Sequence, residues 1–279
     1  MSIEASGPNA EQIEFWNGDA ADAWVDGQER MDLMLGPLSA EALKAANVTT
    51  GERVLDIGCG CGGTAVQIAE QGASVTGVDI SGPMLQRAQQ RAEGREDLAF
   101  VLADAASHDF EAEHDLVFSR FGVMFFKDPK AAFANIKTAL KPGGRLCFLC
   151  WQEPKINYWM SVPGRAAAEF LPPPEQPADP KAPGPFAFAD ANYVEEILGA
   201  AGFSNVSVES YIPTMRLGGD IDAAIDFLVR VGPMSRTLAD LDAKTRAKAL
   251  DAVQQSLAPH ASADGVALNG ACWVVTANA

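Results

Sequence analysis

The stretch Arg53-Val54-Leu55-Asp56-Ile57-Gly58-Cys59-Gly60-Cys61-Gly62-Gly63-Thr64 constrains the fold more than any other part of the chain. Its apolar run, Val54 to Ile57, is short and rich in β-branched residues, the composition of a parallel strand covered on both faces. Four glycines then fall within six positions. Glycine reaches positive φ without a Cβ clash and lets a ligand come close to the backbone. The turn is therefore expected to expose N–H groups at the mouth of the next helix. Strand, glycine turn and helix start, in that order, predict a nucleotide-like cofactor site.

The glycines alone do not choose the cofactor, because Gly58-x-Gly60-x-x-Gly63 also satisfies the dinucleotide fingerprint. Asp56 bears on the choice. A carboxylate at the strand end, two residues before the first glycine, would repel a pyrophosphate and welcome an amino-acid ammonium. The pattern of strand followed by aspartate then repeats. Ser74-Val75-Thr76-Gly77-Val78-Asp79 reads as a second strand, and Asp79 lies twenty-one positions beyond Gly58, close to the spacing of roughly twenty at which a carboxylate receives ribose hydroxyls in doubly wound folds. Ile80 and Met84 then flank an adenine face. A third strand, Leu98 to Ala105, carries Asp104 near its end, placed to accept from an adenine amino group.

Asp115 to Ser119 reads as a fourth strand, followed by Arg120-Phe121-Gly122. A helix from Pro129 to Leu140 and a tight turn, Lys141-Pro142-Gly143-Gly144-Arg145, lead to a fifth strand, Leu146 to Trp151. This βαβαβαβαβ order supports a parallel sheet with right-handed crossovers, a doubly wound α/β fold. Upstream, residues 10–47 have helical apolar spacing, interrupted at Asn17-Gly18-Asp19 and Gly36-Pro37. They form an N-terminal helical flap, with Trp16 and Trp24 as anchors or, with Gln28, as a cover over the cofactor. From Gln152 to Phe188 the regular pattern lapses into a proline-rich tract (Pro172, Pro173, Pro174, Pro177, Pro180, Pro183, Pro185), and a loop of that length is commonly a lid or substrate wall. A helix from Asp190 to Ala201, a strand from Val206 to Ile212, helices near Ile221 to Val231 and Ala243 to Leu257, and a last strand, Gly270 to Val275, complete the expectation.

Asp-x-Gly-x-Gly-x-Gly at the first strand end, with Leu-Lys-Pro-Gly-Gly before the fifth, resembles the signature of class I S-adenosylmethionine (SAM) methyltransferases. The resemblance spans Val54 to Trp151, and the flanks are similar to bacterial small-molecule members related to the quinone-biosynthesis type. It implies a seven-stranded Rossmann-like sheet, mostly parallel, with the last strand antiparallel between the fifth and sixth. The whole chain, 1–279, is then one domain: flap 1–47, SAM-binding core 48–151, and cap insertions at 152–189 and 214–266. By the same resemblance Asp56, Gly58 and Gly60 hold the methionine part, Asp79 the ribose, Ile80 the adenine face, and Asp104 and Ala105 the adenine edge. Ser119 lies near the amino-acid part, and Arg120 near the carboxylate or the substrate. Methyl transfer is an in-line displacement that needs chiefly a positioned acceptor. Trp16, Trp24, Phe125, Trp151, Tyr158 and Trp159 are candidates for the wall around the acceptor. No catalytic base is assigned. S-adenosylhomocysteine would be the product cofactor and a small molecule the methyl acceptor.

Composition narrows the partners. A formal charge of −16 with no Lys/Arg stripe argues against nucleic acid. No run of eighteen apolar residues predicts a membrane span, and the first residues lack a secretory signal, so a cytoplasmic location is expected. Five cysteines, an odd number, do not make a disulfide framework. Cys147 and Cys150, three apart on a strand, face opposite sides, and no metal site is predicted. A nicotinamide-dependent oxidoreductase and a non-catalytic SAM-binding protein are the alternatives to a methyltransferase.

Overall fold

β1 (Arg53–Ile57) is an interior strand of a seven-stranded sheet in a computed structural model that describes residues 3–171, 179–230, 234, 238 and 241–279. The strands that follow in the chain are β2 (Ser74–Asp79), β3 (Leu98–Leu102), β4 (His114–Arg120), β5 (Leu140–Trp151) and β6 (Ser204–Tyr211). Three short strands, β7 (Thr214–Gly218), β8 (Ala261–Ser262) and β9 (Gly265–Asn269), precede the final β10 (Cys272–Asn278). The main sheet has the order β3-β2-β1-β4-β5-β10-β6. β1 runs parallel to both β2 and β4, and β4 parallel to β5. β10 runs antiparallel to both β5 and β6, between which it is inserted. The chain reverses direction in the sheet at β1, where β2 goes to one side and β4 to the other. Ligands in open α/β sheets bind at such a switch point.

Helices α1 (Ala10–Phe15), α2 (Asp19–Asp26) and α3 (Gln28–Ala46) form the N-terminal segment. α4 (Gly63–Ala69), α5 (Gly82–Arg91) and α6 (Pro129–Thr138) make the crossovers, and α7 (Tyr158–Ala167), α8 (Ala191–Ala200), α9 (Ile221–Arg230) and α10 (Ala243–Leu257) follow. The sheet is apolar on both faces, with Leu55, Ile57, Leu116, Val117, Phe118 and Phe148 buried. α3 covers one face through Met31, Met34, Leu35, Leu38, Ala42 and Ala46, all buried. Each large side chain among them contributes roughly 1.5–3 kcal/mol by leaving water.

Several expectations are corrected. α3 does not break at Gly36-Pro37. Pro37 lacks the N–H that would bond back to Leu33, but Leu33 is on the outer face, 80% exposed, and the buried stripe on the inner face holds the helix together across it. β3 ends at Leu102, leaving Ala103 to Ala105 in the following turn, whereas β4 extends to include Arg120. The Lys141 to Arg145 turn is absorbed into β5 as an irregularity between the pairs His114–Leu140 and Leu116–Arg145. The stretch 152–188 is not a plain loop. It holds α7, with Pro163 inside the helix, while Pro172, Pro173, Pro174 and Pro177 fall outside the described residues, as does Val231. The antiparallel sheet β7-β9-β8 was not anticipated at all. Together with α7, α9 and α10 it makes a second layer that packs on α3. Arg30 joins the two, pairing with Asp226 at 2.8 Å and lying over the Phe227 ring at 5.3 Å.

Candidate active site

A cavity of about 1000 Å³ opens at the carboxyl ends of β1, β2 and β4, where Ile57, Asp79 and Arg120 end their strands. That is the upper end of the roughly 300–1,000 Å³ typical of ligand pockets, enough for a nucleoside-sized molecule and a second one beside it. Its floor is the glycine turn. Gly58 and Gly60 have φ of +65° and +54°, and a Cβ on Gly58 would stand 2.7 Å from the Cα of Gly122, where the turns after β1 and β4 touch. Only glycine fits that approach.

Asp79 is turned onto this floor. Its Oδ2 accepts from the Gly60 N–H at 2.7 Å and its Oδ1 from the Ser81 N–H at 2.8 Å, so one carboxylate ties the glycine turn to the start of α5. Burial pushes its pKa up, and the backbone N–H groups of Ser81, Gly60 and Ile80 pull it partly back. Ile80, Met84, Asp104 and Ala105 line the same end of the cavity. The Asp104 carboxylate accepts from the Ala106 N–H at 2.9 Å and, through both oxygens, from the side-chain amide of Asn9 at 3.0 Å. Asn9 in turn accepts from the Lys127 N–H. Asn17 does the same at the other end of α1, donating to the Ile80 carbonyl and accepting from the Gly82 N–H. Two asparagines therefore fasten the N-terminal segment across the cavity.

The cavity also has an aromatic wall, of which Trp16 and Trp24 pack against Met84 and Cys61. Phe121 stacks on Trp151 with centroids 4.1 Å apart and planes 9° apart, and Trp159 lies 5.4 Å from Trp151. Trp16 meets Phe125 edge-on at 5.3 Å and Trp24 at 6.1 Å. All six line the cavity, with Met31, Met34, Leu35, Met124 and Phe186 between them. Gln28 also lines it.

Three of the expected site residues do not reach the cavity. Asp56 is fully buried behind the turn, and its Oδ2 accepts from the Thr64 hydroxyl at 2.7 Å; Thr64, not Asp56, lines the cavity. Its Oδ1 has no hydrogen-bond partner, and burial raises its pKa from 3.8 to about 7. Ser119 is also fully buried, because its Oγ turns inward to accept from the Gly122 N–H at 3.2 Å. Tyr158, at the first turn of α7, is 46% exposed and points away, while its neighbour Trp159 faces in.

The sequence reading missed Asn9, Asp32, Phe121 and the methionines other than Met84. Phe121 carried a signal, since it directly follows the strand that ends at the switch point, and its φ of +64° is unusual for a residue with a Cβ. Asn9 carried none. Cys59 and Cys61 line the cavity, but burial raises both thiols, Cys61 to about 11, so both stay protonated and weakly nucleophilic. The three histidines stand outside the cavity wall. His114 is buried with Nδ1 against the Ala139 carbonyl, and burial lowers its pKa.

Sheet order, antiparallel insertion and a glycine-floored cavity at the switch point define the class I methyltransferase fold. Residues 55–148 match the sequence model of the methyltransferase domain family, Methyltransf_11. The chain is 35% identical over 118 residues to aklanonic acid methyltransferase DauC of Streptomyces sp. strain C5, covering 40% of this chain and 54% of that protein. It is 32% identical over 114 residues to demethylmenaquinone methyltransferase of Tropheryma whipplei, covering 41% and 48%. The chain thus spans about half the length of the curated relatives it matches. Among solved structures, phosphoethanolamine N-methyltransferase 2 of Haemonchus contortus, in complex with phosphomonomethylethanolamine and S-adenosylhomocysteine, aligns with a TM-score of 0.58 at 24% identity, covering 94% of this chain and 57% of that one. That likeness concerns the fold.

Proposed function

We propose that this protein is a SAM-dependent methyltransferase that moves a methyl group to an O, N or C nucleophile of a small, largely apolar molecule. The reading rests on one arrangement: a glycine floor and two carboxylates, Asp79 at the end of β2 and Asp104 in the turn after β3, share one cavity with an aromatic wall. The donor set fits an adenosyl amino acid. Asp79 has lone pairs beyond its two backbone partners for ribose hydroxyls, and Ile80 and Met84 offer an apolar face for adenine. Asp104 and Ala105, which line the same cavity, would read the exocyclic amine and a ring nitrogen, and Arg120 would face the carboxylate or the substrate. The family match over 55–148 and the methyltransferase names of the relatives support the same choice over a nicotinamide cofactor.

When bound, SAM supplies a methyl group already electrophilic on its sulfonium. The protein's own share is placement and exclusion of water. Phe121, locked in the left-handed region and stacked on Trp151, gives a rigid wall that narrows the poses an acceptor can take. Trp16, Trp24, Phe125 and Trp159 extend the apolar wall and exclude water, which favours attack of an unsolvated lone pair. Asp56 acts from behind the floor through Thr64, and Ser119 supports the turn at Gly122. α7 and the strands and helices of 214–266 serve as the cap, with Trp159, Met160 and Phe186 reaching inward. Five unpaired, buried cysteines support a reducing, cytoplasmic setting, and no helix among the described residues is long and apolar enough to cross a membrane.

The test is incubation of the purified protein with an isotopically labelled methyl donor and a small-molecule extract, read by mass spectrometry. A labelled product supports the proposal. Binding of S-adenosylhomocysteine with no labelled product from any extract would favour a non-catalytic SAM-binding protein. Stabilisation by NAD(H) but not by S-adenosylhomocysteine would overturn the reading.

A further inference from the structure

The charges around the cavity do not balance. Five carboxyl side chains line it, Glu14, Asp19, Asp32, Asp79 and Asp104, against two guanidinium groups, Arg120 and Arg230. Both arginines already have an acid. Arg230 pairs with Asp226 at 2.8 Å, and Arg120 faces Asp32 at 3.6 Å, while Asp32 also holds Arg91 at 2.8 Å. The other four lining acids have no cationic partner among the described residues. Asp79 is bonded to the Gly60 and Ser81 N–H groups and Asp104 to the Ala106 N–H and the Asn9 amide, neutral donors that hold a carboxylate without cancelling its charge. Glu14 and Asp19, which flank α1 and α2, are exposed. Cys59 registers the surplus: its thiol is pushed up by burial first, and then by the charges of Asp79 and Asp56. Apolar walls focus such a field, and the formal charge of −16 on the chain adds to it. Trp16, Trp24 and Phe125 line the same space, and aromatic faces attract cations.

We propose that this cavity selects by charge, preferring the cationic methyl donor to its neutral product and an uncharged acceptor to an anionic one, with Glu14 and Asp19 of the flap contributing to the preference. The inference rests on the SAM reading above and narrows the acceptor class beyond it. In the transfer the bond from sulfur to the methyl group breaks, its electron pair stays on sulfur, and the acceptor's lone pair makes the new bond. The cofactor thereby passes from one net positive charge to none. A negative cavity holds the first state more firmly than the second, so the spent cofactor leaves in favour of a fresh donor. The same field opposes an acceptor that arrives with a negative charge. An uncharged amine fits it best, because the methylated product takes over the positive charge that sulfur gives up.

Calorimetric titration at low and raised ionic strength tests this with three probes. SAM and sinefungin, in which an amine replaces the sulfonium methyl, each carry one net positive charge, and S-adenosylhomocysteine carries none. Both cationic probes should bind roughly three- to tenfold more tightly than S-adenosylhomocysteine at low salt, and the ratio should shrink as salt rises. Glu14→Gln combined with Asp19→Asn should lower that ratio about twofold. S-adenosylhomocysteine affinity should not change, which also certifies that the variant is folded. In the labelled-methyl experiment the product should pass through an anion exchanger at neutral pH. S-adenosylhomocysteine binding as tightly as the two cations at low salt, or a preference that neither salt nor the double substitution alters, would overturn the proposal, and so would a labelled product retained as an anion. Failure of all three probes to bind would overturn the SAM reading itself and the charge selection with it.

Discussion

Asp56 is a carboxyl group with one oxygen bonded to Thr64 and the other bonded to nothing, inside the sheet. Its sequence position announced a cofactor ligand, but the tertiary structure makes it a buried acid. With its pKa raised from 3.8 to about 7, the native state holds a proton that the unfolded chain gives up. The stability this contributes is full below about 3.8 and is lost as pH rises through about 7; Asp79 shifts in the same direction and adds with the same sign. Urea unfolding across this range should show the protein losing stability on going from acid to neutral pH relative to Asp56→Asn, by at most on the order of 4 kcal/mol. Parallel pH profiles for the two proteins would contradict the burial argument. Asp79 does two jobs, one on the backbone of Gly60 and Ser81 and one toward the proposed ribose. Asp79→Ala should weaken S-adenosylhomocysteine binding several-fold to a hundredfold by calorimetry, as expected for a lost interaction worth roughly 1–3 kcal/mol. An unchanged affinity would contradict the ribose assignment.

At the scale of elements, the N-terminal helices are joined to the core by few polar contacts of large consequence. Asn17 spans from α1 to the Ile80 carbonyl and the Gly82 N–H, and Asn9 reaches Asp104. Asn17→Ala should release α1 and α2. Limited proteolysis is expected to cut within the first 27 residues faster than in the unsubstituted protein, with added S-adenosylhomocysteine slowing the cut in both. Equal cutting rates would mean that Trp16 and Trp24 alone hold the flap. The strands were legible because a doubly covered parallel strand has a composition of its own, and β1, β2 and β4 come within a residue or two of their expected bounds. α3 was misread at Gly36-Pro37 because local breaker chemistry was weighed without the apolar stripe that overrides it. α7 was hidden by Pro163, and β7, β8 and β9 are too short to alternate visibly; β8 has only two residues.

For the whole molecule, a ligand bound only to the native state raises stability by mass action. S-adenosylhomocysteine at a hundred times its Kd should add about 2.7 kcal/mol. For a chain of this size that is a rise in Tm of roughly 5–10 °C, checked by differential scanning calorimetry. NADH at the same concentration should leave Tm unchanged. The prediction belongs at this scale because the cavity takes its walls from the flap, the sheet and the α7 layer together. One occupant therefore couples regions far apart in the chain.

The amino-acid sequence by itself determined the sheet and its switch point, because strand composition, glycine at positive φ and the recurrence of strand-end acids are local properties that survive in one dimension. It determined, too, that Asp79 and Asp104 would face a common groove. Only the tertiary structure decided which neighbours complete that groove. Asn9 on Asp104, Asp32 against Gly63 and Phe121 on Trp151 are meetings of residues distant in sequence. The inward turn of Asp56 and Ser119 was decided there as well, since the direction of a strand-end side chain depends on which backbone N–H or hydroxyl packs beside it, and no local pattern records that.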